Sequence, residues 1–317
     1  MTGRFSRLPT VAALGGGHGL SATLSALRRL TDDLTAIVTV ADDGGSSGRL
    51  RDEFDCLPPG DLRMALAALC DDDSEGRLWA DVLQSRFTGD GPLGGHAIGN
   101  LLIAGLWQQL ADPVEGLDMV GQLLRVHGRV LPMSAVPLTI EADVVGLRPD
   151  APDEVSVVRG QAHVAKTTGR VVAVRLGPAR PPAHPAAVAA LREADFIVLG
   201  PGSWFTSVLV HLLVPELAEA IVSSKAKRIL VLNMVPADET AGFSPAAHID
   251  VLAEHAPALR LDHVIADHRF AGLDGHLGTY VESLGATLHV AQLGMRDGSA
   301  RHDPLLLAAS LAGAMGL

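Results

Sequence analysis

The chain has 317 residues, of which 48% are hydrophobic and 19% charged, so a large core can be buried. Its formal net charge of -11 argues against nucleic acid or anionic membranes as partners, because such affinity comes mainly from basic surfaces. Two cysteines give no disulfide framework, and no apolar run resembles a signal peptide or could span a bilayer, so we expect a cytoplasmic protein without membrane insertion.

The first predicted strand, residues 10–14, leads into a turn with four glycines in five residues: Gly15, Gly16, Gly17, His18 and Gly19. Leucines at helical spacing follow, so this segment predicts the strand, turn and helix that open a doubly wound sheet. The turn lacks the third glycine of a dinucleotide fingerprint and the lysine of a P-loop, so we do not expect NAD(P). We interpret it as a backbone cradle for phosphate, and the alternative is a tight turn that needs positive φ.

The second predicted strand, residues 36–40, ends at the carboxylates Asp42 and Asp43. A predicted turn of small residues and then an arginine follow: Gly44, Gly45, Ser46, Ser47, Gly48 and Arg49. Adjacent carboxylates in this position can hold Mg²⁺, can hold ribose hydroxyls, or can simply belong to a solvated turn. Asp61 stands at the start of a predicted helix and, taken alone, is most simply an N-cap.

A second glycine-rich helix start contains His96 and Asn100. His96 is a candidate phosphate contact or general acid/base, and the alternative is a hydrogen-bonded turn residue. Residues 130–180 contain short β-rich runs, which predict an antiparallel excursion. The parallel pattern then resumes, and the strand ending at residue 199 leads into a third turn that carries glycines and hydroxyls: Gly200, Gly202, Ser203, Thr206 and Ser207.

Four polar or glycine-rich turns thus follow predicted parallel strands, after residues 14, 40, 199 and 232. Asn233 lies in the last of these turns, and Arg301 follows near the end of the chain. Because ligands of open α/β sheets bind beyond the carboxyl ends of the strands, these turns predict a nucleotide or phosphate cleft. We expect a single α/β domain over residues 1–317, with a Rossmann-like, doubly wound and mostly parallel sheet and with the β excursion inside it.

Five blocks of sequence stand in order along nearly the whole chain: GGGHGLS (15–21), TVADDGGSSGRLR (39–51), LPPGDLR (57–63), GHAIGNLL (95–102) and GPGSWFTS (200–207). Together they resemble the gluconeogenesis-factor family (YvcK), within the CofD-like superfamily that includes 2-phospho-L-lactate transferase. The resemblance implies a cytoplasmic homodimer that binds a UDP-sugar such as UDP-N-acetylglucosamine. It also implies a role in cell shape and peptidoglycan precursor supply on gluconeogenic carbon, with cell-wall regulatory proteins as partners.

Two functions follow from this resemblance. The first is a UDP-sugar-binding regulator without turnover, in which the glycine turns hold the diphosphate and Asn233 or Arg301 helps to place uridine or sugar. The second is a Mg²⁺-dependent transferase of phospholactyl-type groups, in which Arg49 or Arg63 stabilises developing charge and the aspartates that match the metal ligands of that branch hold the cation: Asp42, Asp43 and Asp61. We favour the first because the signature blocks are complete and no clear base is present. Aromatic residues make up only 3%, which argues against a flavin, and we expect no haem.

Overall fold

The computed structural model describes residues 7–317, and within that range ten strands occur. In chain order they are β1 Val11–Gly15, β2 Leu34–Val38, β3 Arg129–Pro132, β4 Thr139–Val145, β5 Ser156–Arg159, β6 Arg170–Gly177, β7 Phe196–Leu199, β8 Lys227–Val231, β9 His263–Asp267 and β10 Thr287–Ala291.

The α-helices of the same range are α1 Gly17–Leu27, α2 Gly45–Phe54, α3 Pro59–Leu69, α4 Ser74–Gln84, α5 Ile98–Trp107, α6 Pro113–Leu124, α7 Gln161–Val164, α8 Pro185–Glu193, α9 Pro215–Ser223, α10 Pro245–His255, α11 His268–Ala271, α12 Leu277–Ser283 and α13 Pro304–Met315. A π-helical turn covers Trp204–Val208, and 3₁₀ turns cover Leu209–Leu213 and Asp238–Thr240.

Seven strands form one parallel sheet in the order β10-β9-β8-β7-β1-β2-β3. The chain runs outward from β1 through β2 to β3, then crosses back to β7 on the other side of β1 and runs outward again. The carboxyl ends of β1 and β7 therefore diverge at a topological switch point, where α/β sheets open a crevice. The prediction of a doubly wound, mostly parallel sheet is confirmed.

The core lies between this sheet and its helices. Strands β1 and β7 are buried along their whole length, as their unbroken apolar sequences require of central parallel strands. Helix α1 buries Leu20, Leu24 and Leu27, and it packs against α3 and α13. Each such leucine contributes about 1.5–3 kcal/mol through burial, so the crevice is built on a rigid base.

The β excursion is an antiparallel sheet in the order β5-β4-β6. Strand β4 alternates between buried and partly buried residues, and its outward carboxylates Glu141 and Asp143 pair with Arg175 at 3.0 and 2.7 Å. Residues 129–132 lie outside this small sheet, because they form β3 and pair in parallel with β2. The excursion thus occupies a shorter stretch than the β-rich segment seen in the sequence.

The run Gly44 to Gly48 differs from its prediction as a turn. Gly44 is the N-cap of α2, and the Gly48 N–H donates to the Gly44 carbonyl at 3.0 Å. A methyl group on Gly48 would overlap the Asp43 carbonyl oxygen, so glycine allows α2 to begin directly against the end of the strand segment. Glycines usually indicate a turn, but in this segment they allow a helix to pack closely against the preceding residues.

Within residues 7–317, no single helix is long and apolar enough to cross a membrane. The helical segments Trp204–Leu213 and Pro215–Ser223 reach that length only together, and they are bent by 82° relative to each other.

Candidate functional site

A cavity of about 670 Å³ occupies the crevice between β1 and β7. Its walls come from four parts of the chain: the turn after β1 with the start of α1, the turn after β7, residues 233–237 after β8, and residues 295–304. Among the residues that the structure describes, no aspartate or glutamate lines it, although the chain has 36 acidic residues. The cavity is therefore suited to an anionic ligand.

The first wall shows why the glycines after β1 are needed. Gly17 has a φ of +57° where α1 begins, and a methyl group on Gly19 would overlap the carbonyl oxygen of Pro201. The turns after β1 and β7 therefore touch each other. Helix α1 has no side-chain cap from its own N-cap residue and no acidic residue in its own first turn, and its N-terminal residues line the cavity. One of its first N–H groups, that of Gly17, donates to Asp61 of α3.

The second wall is held by Asn233. Its Oδ1 accepts from the Gly202 N–H and its Nδ2 donates to the Gly202 carbonyl, both at 2.9 Å. Asn233 lines the cavity, but its amide is already paired with backbone. Its role in this structure is to fix the turn after β7.

The hydroxyls of the same turn also have internal partners. Ser203 Oγ donates to Glu239 at 2.7 Å, and the Phe205 N–H donates to the same Oε1 at 3.3 Å. Glu239 is only 2% exposed, and burial raises its pKa in spite of these hydrogen bonds. Thr206 is buried and bonds Ser203. A protein carboxylate thus already accepts from Ser203, one of the hydroxyls that the sequence assigned to phosphate, whereas Ser207 of the same turn lines the cavity.

Arg301, His18 and His302 supply the basic groups of the cavity lining. Arg301 is exposed and pairs with Asp297 at 3.2 Å, a contact of the kind that contributes about 0–1 kcal/mol and can be exchanged for a ligand. His302 is buried, and desolvation lowers its pKa to about 4, so it is neutral at physiological pH. Arg301 is the cation best placed to meet an incoming anion.

Asp61 does not cap its helix, as its sequence position alone suggested. The N-cap of α3 is Pro58, and Asp61 reaches toward the turn after β1, where its Oδ2 would lie 2.5 Å from a methyl group on Gly16. That oxygen is buried without a hydrogen-bond partner. Desolvation first, and the charge of Asp42 second, raise the pKa of Asp61 to about 7, against hydrogen bonds from the Gly17 N–H and from Gln161.

The two adjacent aspartates face different neighbours. Asp42 Oδ1 accepts from the Gly44 N–H at 3.0 Å, and its Oδ2 would lie 2.8 Å from a methyl group on Gly60, beside Asp61. Asp43 Oδ1 accepts from the Ala162 N–H of the excursion at 3.4 Å.

Asp42 and Asp61 could hold a Mg²⁺ ion, because this cation binds through one or two carboxylates plus ligand oxygens. The unpartnered Oδ2 of Asp61 fits that donor set. No group of three or more His, Cys, Asp or Glu side chains within residues 7–317 is arranged for a metal, so Asp43 does not complete a cluster with the other two.

Ser46, His96 and Asn100 form a separate buried network. Ser46 Oγ accepts from Asn100 Nδ2 at 3.0 Å and from the Ala97 N–H at 3.4 Å, so its hydrogen is directed to His96 Nδ1 at 2.9 Å. Burial, and then the charge of Arg49, lower the pKa of His96, which agrees with a neutral ring. None of the three lines the cavity.

The remaining predicted positions have mainly structural surroundings. Arg49 donates to the carbonyls of Gly94 at 2.9 Å and Pro92 at 3.4 Å, so it holds the loop before α5.

The structure therefore places the predicted residues in three groups. The cavity lining takes Gly16, Gly17, His18, Gly19, Gly202, Ser203, Ser207, Asn233 and Arg301. A second group lies outside that lining: Asp42, Asp43, Gly44, Gly45, Ser46, Ser47, Arg49, Asp61, His96 and Asn100. Of this group, Asp61 reaches the back of the lining at Gly16 and Gly17. Supporting positions beneath the cavity are Gly15, Gly200 and Thr206.

Several residues of the site were not predicted, among them Glu239, Gln161, His302 and the cavity-lining Ser21 and Ser25. Glu239 lies 36 positions from Ser203, and Gln161 reaches Asp61 from the excursion. An acidic residue in a polar loop and a glutamine after a short strand carry no local signal, because their roles depend on contacts that only the folded chain makes.

Comparisons with known proteins agree with this architecture. The family model described as 2-phospho-L-lactate transferase CofD matches residues 11–282. A Mycobacterium tuberculosis protein provisionally named as a gluconeogenesis factor is 55% identical over 307 residues, which cover 96% of this chain and 89% of that protein. The gluconeogenesis factor of Listeria innocua is 39% identical over 258 residues, covering 81% of this chain and 77% of its own. A solved Bacillus halodurans structure of the UPF0052 family has a TM-score of 0.83 at 32% identity, covering 97% of this chain and all of that one. The chain therefore belongs to the CofD family and, within it, to the gluconeogenesis factors.

Proposed function

We propose that this protein binds a UDP-sugar, such as UDP-N-acetylglucosamine, in the cavity between β1 and β7 and does so without turning it over. One observation carries the proposal. In a chain with a net charge of -11, the described lining of a cavity at the switch point has no carboxylate and includes the first turn of α1, of which the Gly17 N–H donates to Asp61 behind the lining. Such an N-terminus attracts phosphate through its free N–H groups and its dipole.

The dimensions and lining of the cavity support a nucleotide-sized ligand. Its volume of about 670 Å³ lies within the range of about 300–1,000 Å³ that is usual for small-molecule sites. The diphosphate would lie at Gly16 to Gly19, with Ser21 and Ser25 of α1 beside it, and Arg301 would leave Asp297 to meet the second charge. The turn after β7 would shape the opposite wall, since its Ser203 hydroxyl and Phe205 N–H already donate to Glu239.

The same lining supports binding without chemistry. General acid/base catalysis needs a titratable group within hydrogen-bond reach of the reacting atom. The described lining offers no carboxylate, and of its two histidines His302 is neutral and buried, which leaves the exposed His18 as the one candidate in that lining. We therefore propose a sensor or carrier of a nucleotide sugar rather than an enzyme that consumes it.

Isothermal titration calorimetry with UDP-N-acetylglucosamine and with UMP tests the proposal. We expect binding of the sugar nucleotide, and we expect R301Q to weaken it by about 10- to 100-fold, the loss of one charge-assisted hydrogen bond. R296Q is the matched control, because Arg296 is exposed and lies outside the cavity lining. The absence of heat from any UDP-sugar at millimolar concentration would count decisively against this function.

Membership in the gluconeogenesis factors supports the biological setting of the proposal: a cytoplasmic homodimer that acts with cell-wall regulatory proteins in peptidoglycan precursor supply and cell shape on gluconeogenic carbon. Light scattering on the purified protein checks the dimer. A strain that lacks the gene, complemented with the wild type or with R301Q, checks the role. We expect only the wild type to restore growth and shape, and full rescue by R301Q would separate the role from nucleotide binding.

A second candidate is a Mg²⁺-dependent transferase that uses a nucleotide diphosphate donor. The unpartnered Oδ2 of Asp61 favours it, because this oxygen lies next to Asp42 and to the turn after β1. Mg²⁺ held there would supply charge stabilisation at a phosphate. This function predicts product from a lactyl-diphosphate donor and a deazaflavin alcohol, with loss of product in D61A and retention in D43A. Equal product with D61A and wild type would refute it.

A further inference from the structure

Arg63 of α3 is a buried charge without a partner. The residue is 4% exposed, and its Nε and Nη1 are shielded from solvent and make no hydrogen bond. Within residues 7–317 it also forms no ion pair or hydrogen bond through Nη2, which is the one guanidinium nitrogen not enclosed. A buried, unpaired cation is strongly destabilising, so a native protein retains one only where something else meets it.

The surroundings of Arg63 add positive potential. Its Cγ packs on the first turn of α5, where a methyl group on Gly99 would lie 2.8 Å away. Helix α5 is ten residues long, and it begins at Ala97 without a side-chain cap or an acidic residue in its first turn. Arg86 also acts on the guanidinium. The positive end of a helix and a second arginine therefore reinforce the charge of Arg63.

The nearest carboxylates do not neutralise it. Asp42 and Asp61 act on Arg63 from beyond ion-pair distance. Asn100 Oδ1, also in the first turn of α5, is buried without a donor. A hydrogen-bond acceptor and an unpaired guanidinium thus both lack partners beside the same helix turn.

We propose that Arg63 forms a second oxyanion subsite, separate from the cavity between β1 and β7, which takes the phosphate group of a small co-ligand. A phosphate oxygen would meet the guanidinium at Nη2, the nitrogen that is not enclosed, in a charge-assisted hydrogen bond. A phosphate hydroxyl can in addition donate to a free acceptor such as Asn100 Oδ1. Arg63 does not line the cavity, so the subsite stands whether or not the cavity binds a UDP-sugar.

The direct test follows the Nε–H signal of Arg63 by NMR in the full chain. The signal is assigned by its absence from R63K, which keeps the charge. Inorganic phosphate is then added with and without saturating UDP-N-acetylglucosamine. We expect a saturable shift of this signal in both samples, and a much smaller shift with acetate. The proposal is overturned if the signal does not move, if chloride shifts it as much as phosphate does, or if phosphate shifts it only in the sample without UDP-N-acetylglucosamine.

Stability supplies the second readout. R63M removes the unpaired charge, so we expect its melting temperature to exceed that of the wild type in phosphate-free buffer. We also expect phosphate to raise the melting temperature of the wild type and to leave that of R63M unchanged. R77M is the control, because Arg77 is an exposed arginine of α4. We expect R77M to retain the phosphate response. A lower melting temperature of R63M together with an unchanged phosphate response would show that Arg63 is structural.

Discussion

Asp61 offers a quantitative test of the electrostatics around the turn after β1. Desolvation and Asp42 raise the pKa of its carboxyl group from 3.8 to about 7. Between these two values the folded protein keeps a proton that the unfolded chain releases, so the free energy of unfolding falls as pH rises through this window. The loss is complete above the folded pKa and absent below the unfolded one.

The size of the effect follows from the shift. A change from 3.8 to about 7 corresponds to about 4 kcal/mol, at about 1.36 kcal/mol for each unit of pKa. Because Asp61 is only partly buried as a whole residue, solvent screening reduces this to about 2 kcal/mol. Asparagine has the same shape and can still accept from the Gly17 N–H. We therefore expect D61N to exceed the wild type in stability by about 2 kcal/mol at pH 8 and to match it closely at pH 4.

Urea denaturation at both pH values measures this difference. EDTA is present throughout, so that no divalent cation compensates the carboxylate. The control is D153N, because Asp153 is exposed in the excursion and should change stability equally at the two pH values. If D61N and the wild type differ by the same amount at pH 4 and pH 8, the carboxylate is not desolvated as the structure indicates, and the reasoning fails.

Three further substitutions test the framework of the cavity. We expect E239A to lose about 2–3 kcal/mol of stability in urea, because two buried donors lose their acceptor, while D238A, exposed next to it, stays within about 0.5 kcal/mol of wild type. G19A places a methyl group on the Pro201 carbonyl, and we expect it to cost about 1–3 kcal/mol and to weaken UDP-sugar binding in calorimetry. S46A should lower stability by about 1–2 kcal/mol without changing that affinity, and an affinity change would place its network in the nucleotide site.

The parallel sheet could be predicted because its signals are local. Apolar runs that end in glycine-rich or carboxylate-bearing turns identify the strands. The four turns expected to lie together follow β1, β2, β7 and β8, which are neighbouring strands of one sheet. The strand order makes this possible, since these four strands are adjacent at the centre of the sheet. Residues of the first, third and fourth turns line the cavity.

The conformation of the segment after β2 could not be predicted from the sequence. Gly44 to Gly48 has the composition of a loop, yet Gly45 to Gly48 form the first turn of α2. Glycine is needed at position 48 because any side chain there would overlap the Asp43 carbonyl oxygen. Asp61 has the local appearance of a cap, but tertiary contact directs it to Gly16. Likewise, nothing near Arg63 in sequence shows that its guanidinium lacks a partner, because burial and the absence of an ion pair are properties of the whole fold.

The carboxylate of Glu239 has a consequence for the empty protein. It satisfies Ser203 Oγ and the Phe205 N–H from within the chain, and Asn233 satisfies both backbone groups of Gly202. These groups of the wall after β7 therefore have their hydrogen-bond partners without a ligand. These internal bonds fix Gly202 and Ser203, so the wall would keep its shape through the binding and release that we propose for a nucleotide sugar.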